Sequence, residues 1–177
     1  MSKIGRKPIL IQDVDVTVDG QVVTYKGKKA EGTYLLPDYL QVSLENNRLV
    51  LKLTDPANKS YNNFWGMHRA LLANVLSGAQ QEFSTNVVIV GLGFKAELKQ
   101  SGIEFSLGYS HKINFEIPTN VKVEIDKTGQ NLKISSIDKF LMGDVAQRIC
   151  ALRRPEPYKG TGVRLQSKEI LRKVGKS

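Results

Sequence analysis

Hydrophobic and polar positions alternate with period two through most of this chain, and twice the period lengthens to that of a helix. Val14, Val16 and Val18 alternate with Asp15, Thr17 and Asp19, which predicts a half-buried strand. Asp19-Gly20 is a two-residue hairpin turn, and Val22 to Lys26 return from it. Gly27-Lys28-Lys29 closes this pair with a basic turn. After Pro37, Leu40, Val42 and Leu44 alternate, Asn46-Asn47 turns the chain, and Leu49, Val50, Leu51 and Leu53 complete a second hairpin. Asp55-Pro56 ends the sheet. Phe64, Met67, Leu71, Leu72, Val75 and Leu76 then follow helical spacing from about Asn62 to Leu76, with Gly78 as the expected C-cap.

The plan repeats. Val87 to Val90 form a strand followed by Gly91-Leu92-Gly93, and Phe94 to Leu98 continue. Gln100-Ser101-Gly102 turn, Ile103, Phe105 and Leu107 alternate, and Lys112 to Ile117 follow Gly108-Tyr109-Ser110-His111. Leu36-Pro37 with Leu40, Val42 and Leu44 lies over Ile117-Pro118 with Val121, Val123 and Ile125. Lys127 to Gln130 turn, and Leu132 and Ile134 match Leu49 and Leu51. Asp138 can cap a helix whose Leu141, Val145, Ile149 and Leu152 share one face. Trp65-Gly66 and Met142-Gly143 sit at the start of the two helices, where a glycine would let each lie close on its sheet. The reading is an α+β fold of two similar domains made by internal duplication, each an antiparallel sheet against one main helix, plus a basic C-terminal tail. The expected segments are 1–82, 83–152 and a C-terminal extension over 153–177, with the boundary between the repeats near Gly78 to Ser84.

Charge changes this picture only at the end of the chain. The formal net charge is +9. From Gln147 onward, Arg148, Arg153, Arg154, Lys159, Arg164, Lys168, Arg172, Lys173 and Lys176 face only Glu156 and Glu169. Such concentration points to an acidic polymer as partner. An anionic membrane would favour a basic amphipathic helix, which Pro155, Pro157, Gly160 and Gly162 oppose. Cations, backbone opened by glycines, and the ring of Tyr158 suit an RNA backbone with an unpaired base beside it. Arg153, Arg154, Lys159 and Arg164 are the expected phosphate contacts, with Lys168, Arg172, Lys173 and Lys176 extending the track. Gly160 and Gly162 would bring N–H groups to phosphate oxygens, and Tyr158 would stack on a base or sugar or pack on the domain. A solvated, disordered tail is the competing reading of the same composition. Met1 to Pro8 carry three cations and read as an extended arm.

Other chemistry finds little purchase. Gly91-Leu92-Gly93 lacks the third glycine of a dinucleotide loop, and a strand rather than a helix follows it. His68 and His111 have no further ligands at metal spacing. Cys150, flanked by Ile149, Ala151 and Leu152, reads as a buried small hydrophobe, and no internal disulfide is possible with one cysteine. The expected positions of His68 and Arg69 are exposed on the first helix. Together with Lys95 and His111 they are candidate secondary RNA contacts. The expectation is no enzyme, no cofactor, no metal and no small-molecule substrate. No apolar leader opens the sequence and no run approaches the ~18 apolar residues of a membrane span, so a cytoplasmic place is expected.

Pro155-Glu156-Pro157-Tyr158-Lys159-Gly160-Thr161-Gly162-Val163-Arg164 resembles the signature of the bacterial-type ribosomal protein L-six family of the large subunit. Ser2 to Ile9, Trp65 to Leu71, Gly91 to Ala96 and Leu107 to His111 resemble other segments of that family, so the likeness spans nearly the whole chain. Thr161 stands where the family usually has Lys, Leu165 where it has an aromatic, and Lys112 where it has Pro. Lys28 and Ala30 replace a Pro and a Gly of a turn. The resemblance implies two similar α+β domains and a structural constituent of the large ribosomal subunit that binds its RNA. It also implies a position near the stalk base, beside the RNA loop that translational GTPases touch, with the first domain facing neighbouring ribosomal proteins. A free-standing protein-interaction module, docking through Pro155-Glu156-Pro157-Tyr158, is the alternative.

Overall fold

The computed structural model describes every residue except Met1, Asn46, Pro56, Ala57, Ser101, Lys176 and Ser177, and all of Lys59 but its side chain. The expected turns at Asn46-Asn47 and Gln100-Ser101-Gly102, the break at Pro56 and the cation Lys176 therefore fall partly or wholly outside the described residues. The chain divides into Met1–Glu82 and Phe83–Ser177. It is an α+β fold of two sheet-plus-helix units, an arrangement that fits a duplication.

In the first unit, β2 (Val14–Asp19), β3 (Val22–Gly27) and β4 (Glu31–Leu35) form an antiparallel meander in the order β2-β3-β4. β1 (Ile9–Leu10), β5 (Leu40–Glu45) and β6 (Arg48–Leu53) form a second sheet in the order β1-β6-β5. Alternation fixes the register: Val18 pairs with Val23 and Val42 with Leu51. The helix α1 (Asn62–Gln80) buries Trp65, Leu72, Leu76 and Ala79 in a core with Val23, Leu36, Leu40, Leu49 and Leu51. Trp65 Nε1 donates to the Leu51 carbonyl at 3.0 Å, so the buried indole has its partner.

Three expectations need correction here, and one strand was missed. The expected arm of Met1 to Pro8 is not extended over its described residues, Ser2 to Pro8. Residues 3–6 turn, Lys7 N–H donates to the Ile4 carbonyl, and β1 then pairs with β6. β4 went unread. Gly78 is not a cap, because α1 runs through it to Gln80 with Gly78 buried inside. The helix-start glycines do not seat their helices on sheets. A Cβ on Gly66 would meet Ser2 Oγ at 2.7 Å, and one on Gly143 would meet nothing within 4 Å.

The second unit keeps the meander as β8 (Lys95–Lys99), β9 (Gly102–Ser106) and β10 (Ile113–Phe115), paired in the order β10-β9-β8. Its other sheet contains β7 (Phe83–Val90), β11 (Val121–Ile125), β12 (Asn131–Ser136) and a further strand, β13 (Gly162–Leu165), in the order β11-β12-β7-β13. β7 begins four residues earlier than Val87, its polar half pairing with β12 as Ser84 opposite Ser135 and Asn86 opposite Lys133. The helix α2 (Lys139–Leu152) is capped as expected: the Asp138 carboxylate accepts from Phe140 N–H at 2.8 Å. Val145, Ala146 and Ile149 enter a core with Val87, Ile89, Phe105, Leu132 and Ile134. Val163, from the stretch read as tail, is fully buried in that core.

Candidate nucleic-acid interface

The stretch after α2 is a closed arch followed by a strand. Arg153 leaves the helix in extended geometry, and its carbonyl accepts from Val163 N–H at 2.8 Å. Inside that closure Glu156 N–H donates to the Thr161 carbonyl and Gly160 N–H to the Glu156 carbonyl, both at 2.9 Å. Two glycines make this possible. Gly160 has φ +72°. Gly162 has φ +143°, and a Cβ there would lie 2.6 Å from Pro155 Cα. β13 then runs antiparallel to β7, with Gly162 opposite Val90 and Leu165 opposite Val87. Gln166 N–H donates to the Asn86 carbonyl, and the Asn86 amide donates to Gln166 Oε1 at 2.9 Å. The chain turns back, and Lys173 N–H donates to the Pro157 carbonyl while the Arg172 guanidinium lies over Gly160. Pro157 to Lys159 form a turn, so Pro155-Glu156-Pro157-Tyr158 is not an extended docking peptide.

This geometry gives three of the expected contacts roles within the protein. Gly160's N–H is taken by Glu156 and is not free for a phosphate, and Gly162 is the first rung of a strand. Arg153 is half-buried. Its Nη1 donates to the Leu107 carbonyl at 2.6 Å, and its guanidinium lies 5.0 Å from the ring centres of both Phe94 and Tyr109. It fastens α2 to the loop after β9. Neither Phe94 nor Tyr109 was named as an aromatic partner from sequence, although the glycine-aromatic runs Gly93-Phe94 and Gly108-Tyr109 marked both loops.

The remaining cations face solvent. Arg154, Lys159, Lys168, Arg172 and Lys173 are exposed, and Arg164 is half-buried with Nη1 donating to the Lys168 carbonyl at 2.9 Å. Among the described residues, none of these six pairs with a carboxylate. Cations elsewhere do: Lys28 with Asp13, Lys95 with Glu97, and Lys99 and Lys112 both with Glu104. Arg154, Arg164 and Lys168 converge on a cleft of about 430 Å³ between α2 and β13, floored by Cys150, Val163 and Leu165. Arg164 and Arg172 also line a second cleft, together with Glu169. Uncompensated positive charge over an apolar floor binds anions more strongly than the same charge scattered in water. Cys150 adds no nucleophile, since burial pushes its thiol pKa up. Tyr158 is 54% exposed, so its ring is presented rather than packed.

The secondary candidates separate. His68 is not an exposed surface residue. Its Nδ1 lies 2.9 Å from Tyr34 Oη and its Nε2 3.4 Å from Tyr39 Oη, and burial pushes its pKa down. Arg69 donates from Nε to the Lys7 carbonyl and from Nη2 to the Pro8 carbonyl, both at 3.0 Å, which pins the entry to β1. Lys95 is in an ion pair. His111 is exposed, its ring stacked on Tyr109 with centres 6.1 Å apart.

Comparison with known proteins gives one consistent result. Residues 90–165 match the family model for Ribosomal protein L6. The chain is 40% identical over 179 residues to the large ribosomal subunit protein uL6 of Chelativorans sp. (strain BNC1), covering 99% of each. It is 41% identical over 180 residues to the uL6 of Persephonella marina, covering 100% of this chain and 98% of the relative. Against the uL6 of Natranaerobius thermophilus it is 36% identical over 178 residues, covering 100% and 99%.

Proposed function

The chain belongs to the ribosomal protein L6 family of the large subunit, and from that premise we propose that it is held on large-subunit ribosomal RNA by the arch, β13 and the returning segment. Membership makes it a structural constituent of the ribosome in the cytoplasm rather than an enzyme. The observation that carries the RNA reading is a set of six cations without a carboxylate partner among the described residues, Arg154, Lys159, Arg164, Lys168, Arg172 and Lys173, carried by the arch, β13 and the returning segment. Three of them close on one cleft. Phosphates would lie along this track, and Tyr158 would meet a base or sugar. Lys176 belongs to the same proposal by sequence alone.

The proposal includes the division of labour. Residues 1–82 form a repeat turned toward neighbouring ribosomal proteins, 83–152 form the second repeat, and 153–177 carry the RNA contacts. What supports the first assignment is α1, whose one full charge is Arg69 and whose Phe64, Met67 and Leu71 are all more than 40% exposed. Family resemblance adds the position at the stalk base, near the translational GTPases. His68, Arg69 and Lys95 are weaker as RNA contacts, since each already has a partner within the protein.

The test is binding of the full chain to large-subunit rRNA fragments across a salt series. One fragment should bind tightly with a steep slope. Arg154→Ala should flatten that slope by about one unit, and Arg154→Ala with Lys159→Ala, Lys168→Ala and Lys173→Ala by about three to four. A shallow slope in the unaltered chain would overturn the reading in favour of a protein-docking role.

A further inference from the structure

Four groups stand in a column on the second unit: the Phe94 ring, the Arg153 guanidinium, the Tyr109 ring and the His111 ring. The cation lies 5.0 Å from each of its flanking ring centres. Tyr109 and His111 stack at 6.1 Å and 25°. Resting on the RNA reading above, we propose that this column is a seat for one unpaired nucleobase, stacked on the open face of His111.

The inner part of the column is locked without His111. Arg153 Nη1 donates to the Leu107 carbonyl, and Tyr109 Oη donates to the Leu152 carbonyl at 3.1 Å. Both bonds run between the loop after β9 and the C-terminal end of α2, so the loop has two ties there. Gly108 between them has φ +75°, and a Cβ on it would lie 2.6 Å from a Phe94 ring carbon, so only glycine lets the backbone pass so near the stack. His111 adds no hydrogen bond to this lock among the described residues. It is exposed, and Tyr109 is the single ring it touches among them. Its second face is therefore a flat π-surface held toward solvent by a rigid base.

That surface suits a base better than a phosphate. The cation inside the column and the one next to His111 in sequence are already committed: Arg153 lies between two rings, and Lys112 pairs with Glu104 at 2.6 Å. What is presented is a ring of fixed orientation, and a base stacks on such a ring whatever its hydrogen-bonding edge. The contact would add affinity without adding counterion release. It differs in this from the cleft between α2 and β13.

Affinity and salt slope separate the two. The probe is the large-subunit rRNA fragment that the full, unaltered chain binds most tightly, and the variants are His111→Ala and His111→Phe. His111→Ala should weaken binding about 5- to 150-fold, the effect of losing one base stack, with the salt slope unchanged. His111→Phe should bind within about twofold of the unaltered chain, because the stack needs a ring and not an imidazole. Thermal unfolding should be the same in all three, since the residue is exposed. Unchanged affinity in His111→Ala overturns the seat, as does an equal loss in His111→Phe. A slope reduced by about one unit overturns it too, by making His111 a phosphate contact. If the unaltered chain binds no fragment with a steep slope, the RNA reading itself fails, and this site with it.

Discussion

The two units carry the same meander, the same pair of strands after a proline, and the same helix, yet they finish their second sheet differently. In the first, the strand beside β6 is β1, two residues long and left at the sheet edge. In the second, the equivalent place beside β12 belongs to β7, eight residues long, and β13 is added outside it. A long open edge invites pairing with another chain, and covering it removes that hazard. Here the cover is cut from the most basic part of the sequence. The sheet thereby gives the cations of the arch and the returning segment a rigid mount. The helices diverge in parallel. α1 keeps an exposed apolar stripe of Phe64, Met67 and Leu71, whereas α2 exposes Phe140 only at its start and carries Asp144, Gln147 and Arg148 on the exposed side beyond it. The duplicated scaffold is generic, and what distinguishes each copy is what has been attached to its edge or left on its helix.

If β13 is part of the second unit's fold, removing it should harm that unit and leave the first alone. A chain ending at Leu152 loses fully buried Val163, the Arg153 clamp and the whole β13–β7 ladder. The expected cost is about 4 kcal/mol or more in the second unit. Amide hydrogen exchange should show protection falling in β7 and β12 but held in β3 and β6. Equal protection in the full and the shortened chain would return the stretch to the status of a tail. It follows that such a truncation cannot test RNA binding cleanly, and charge-removing substitutions are the better probe.

The glycines sharpen the same contrast at smaller amplitude. Gly162→Ala puts a Cβ against the Pro155 backbone at a φ of +143°, and should destabilise the second unit by about 2–3 kcal/mol. Gly160→Ala meets only the movable end of Arg172 at φ +72°, and about 1 kcal/mol is expected. Urea unfolding read at the second unit orders the two. If Gly160→Ala costs more, the arch rather than the strand is the critical closure.

Much of the fold was legible because alternation is local. β2, β3, β5, β6, β11 and β12 follow from valines and leucines two apart, and α2 from its apolar face and Asp138. The misses share a cause. β4 has no buried residue among Glu31, Gly32, Thr33, Tyr34 and Leu35, so it leaves no apolar stripe to read. The first half of β7, Ser84 to Asn86, is held by pairing with β12 and not by hydrophobic burial. β13 is four residues that begin on the second of two positive-φ glycines, and its strand character depends on β7, more than seventy residues earlier. At the candidate site the charge was plain, but its sorting was not. Arg153 looks like Arg154 in the sequence. What separates them is Leu107, Phe94 and Tyr109, contacts that only the folded chain assembles. The glycines of the signature read either as places of close approach to a partner or as positive-φ positions, and it is the positive φ that the arch and the strand use.

The smallest effect lies in the first unit, and it tests whether that unit's helix is tied to its sheet by a group that titrates. His68 sits between Tyr34 of β4 and Tyr39, and burial lowers its pKa below the ordinary value of about 6.5. The unfolded chain therefore takes up a proton more readily than the folded one as the pH falls through that range. Its contribution to stability is complete above about pH 6.5 and is lost as the pH drops toward the lowered folded value. The ring is only partly buried, so solvent screens the effect and a shift of about 1–2 °C is the expected ceiling. Thermal unfolding of the first unit at pH 7.5 and pH 5 should show a slightly larger drop for the unaltered chain than for His68→Gln, which keeps polar atoms near the tyrosines but does not titrate. No difference between the two would mean that the tyrosine hydroxyls satisfy the charged ring as well as the neutral one. A larger drop in His68→Gln would reverse the sign of the argument, making the protonated ring the form that holds α1 to β4.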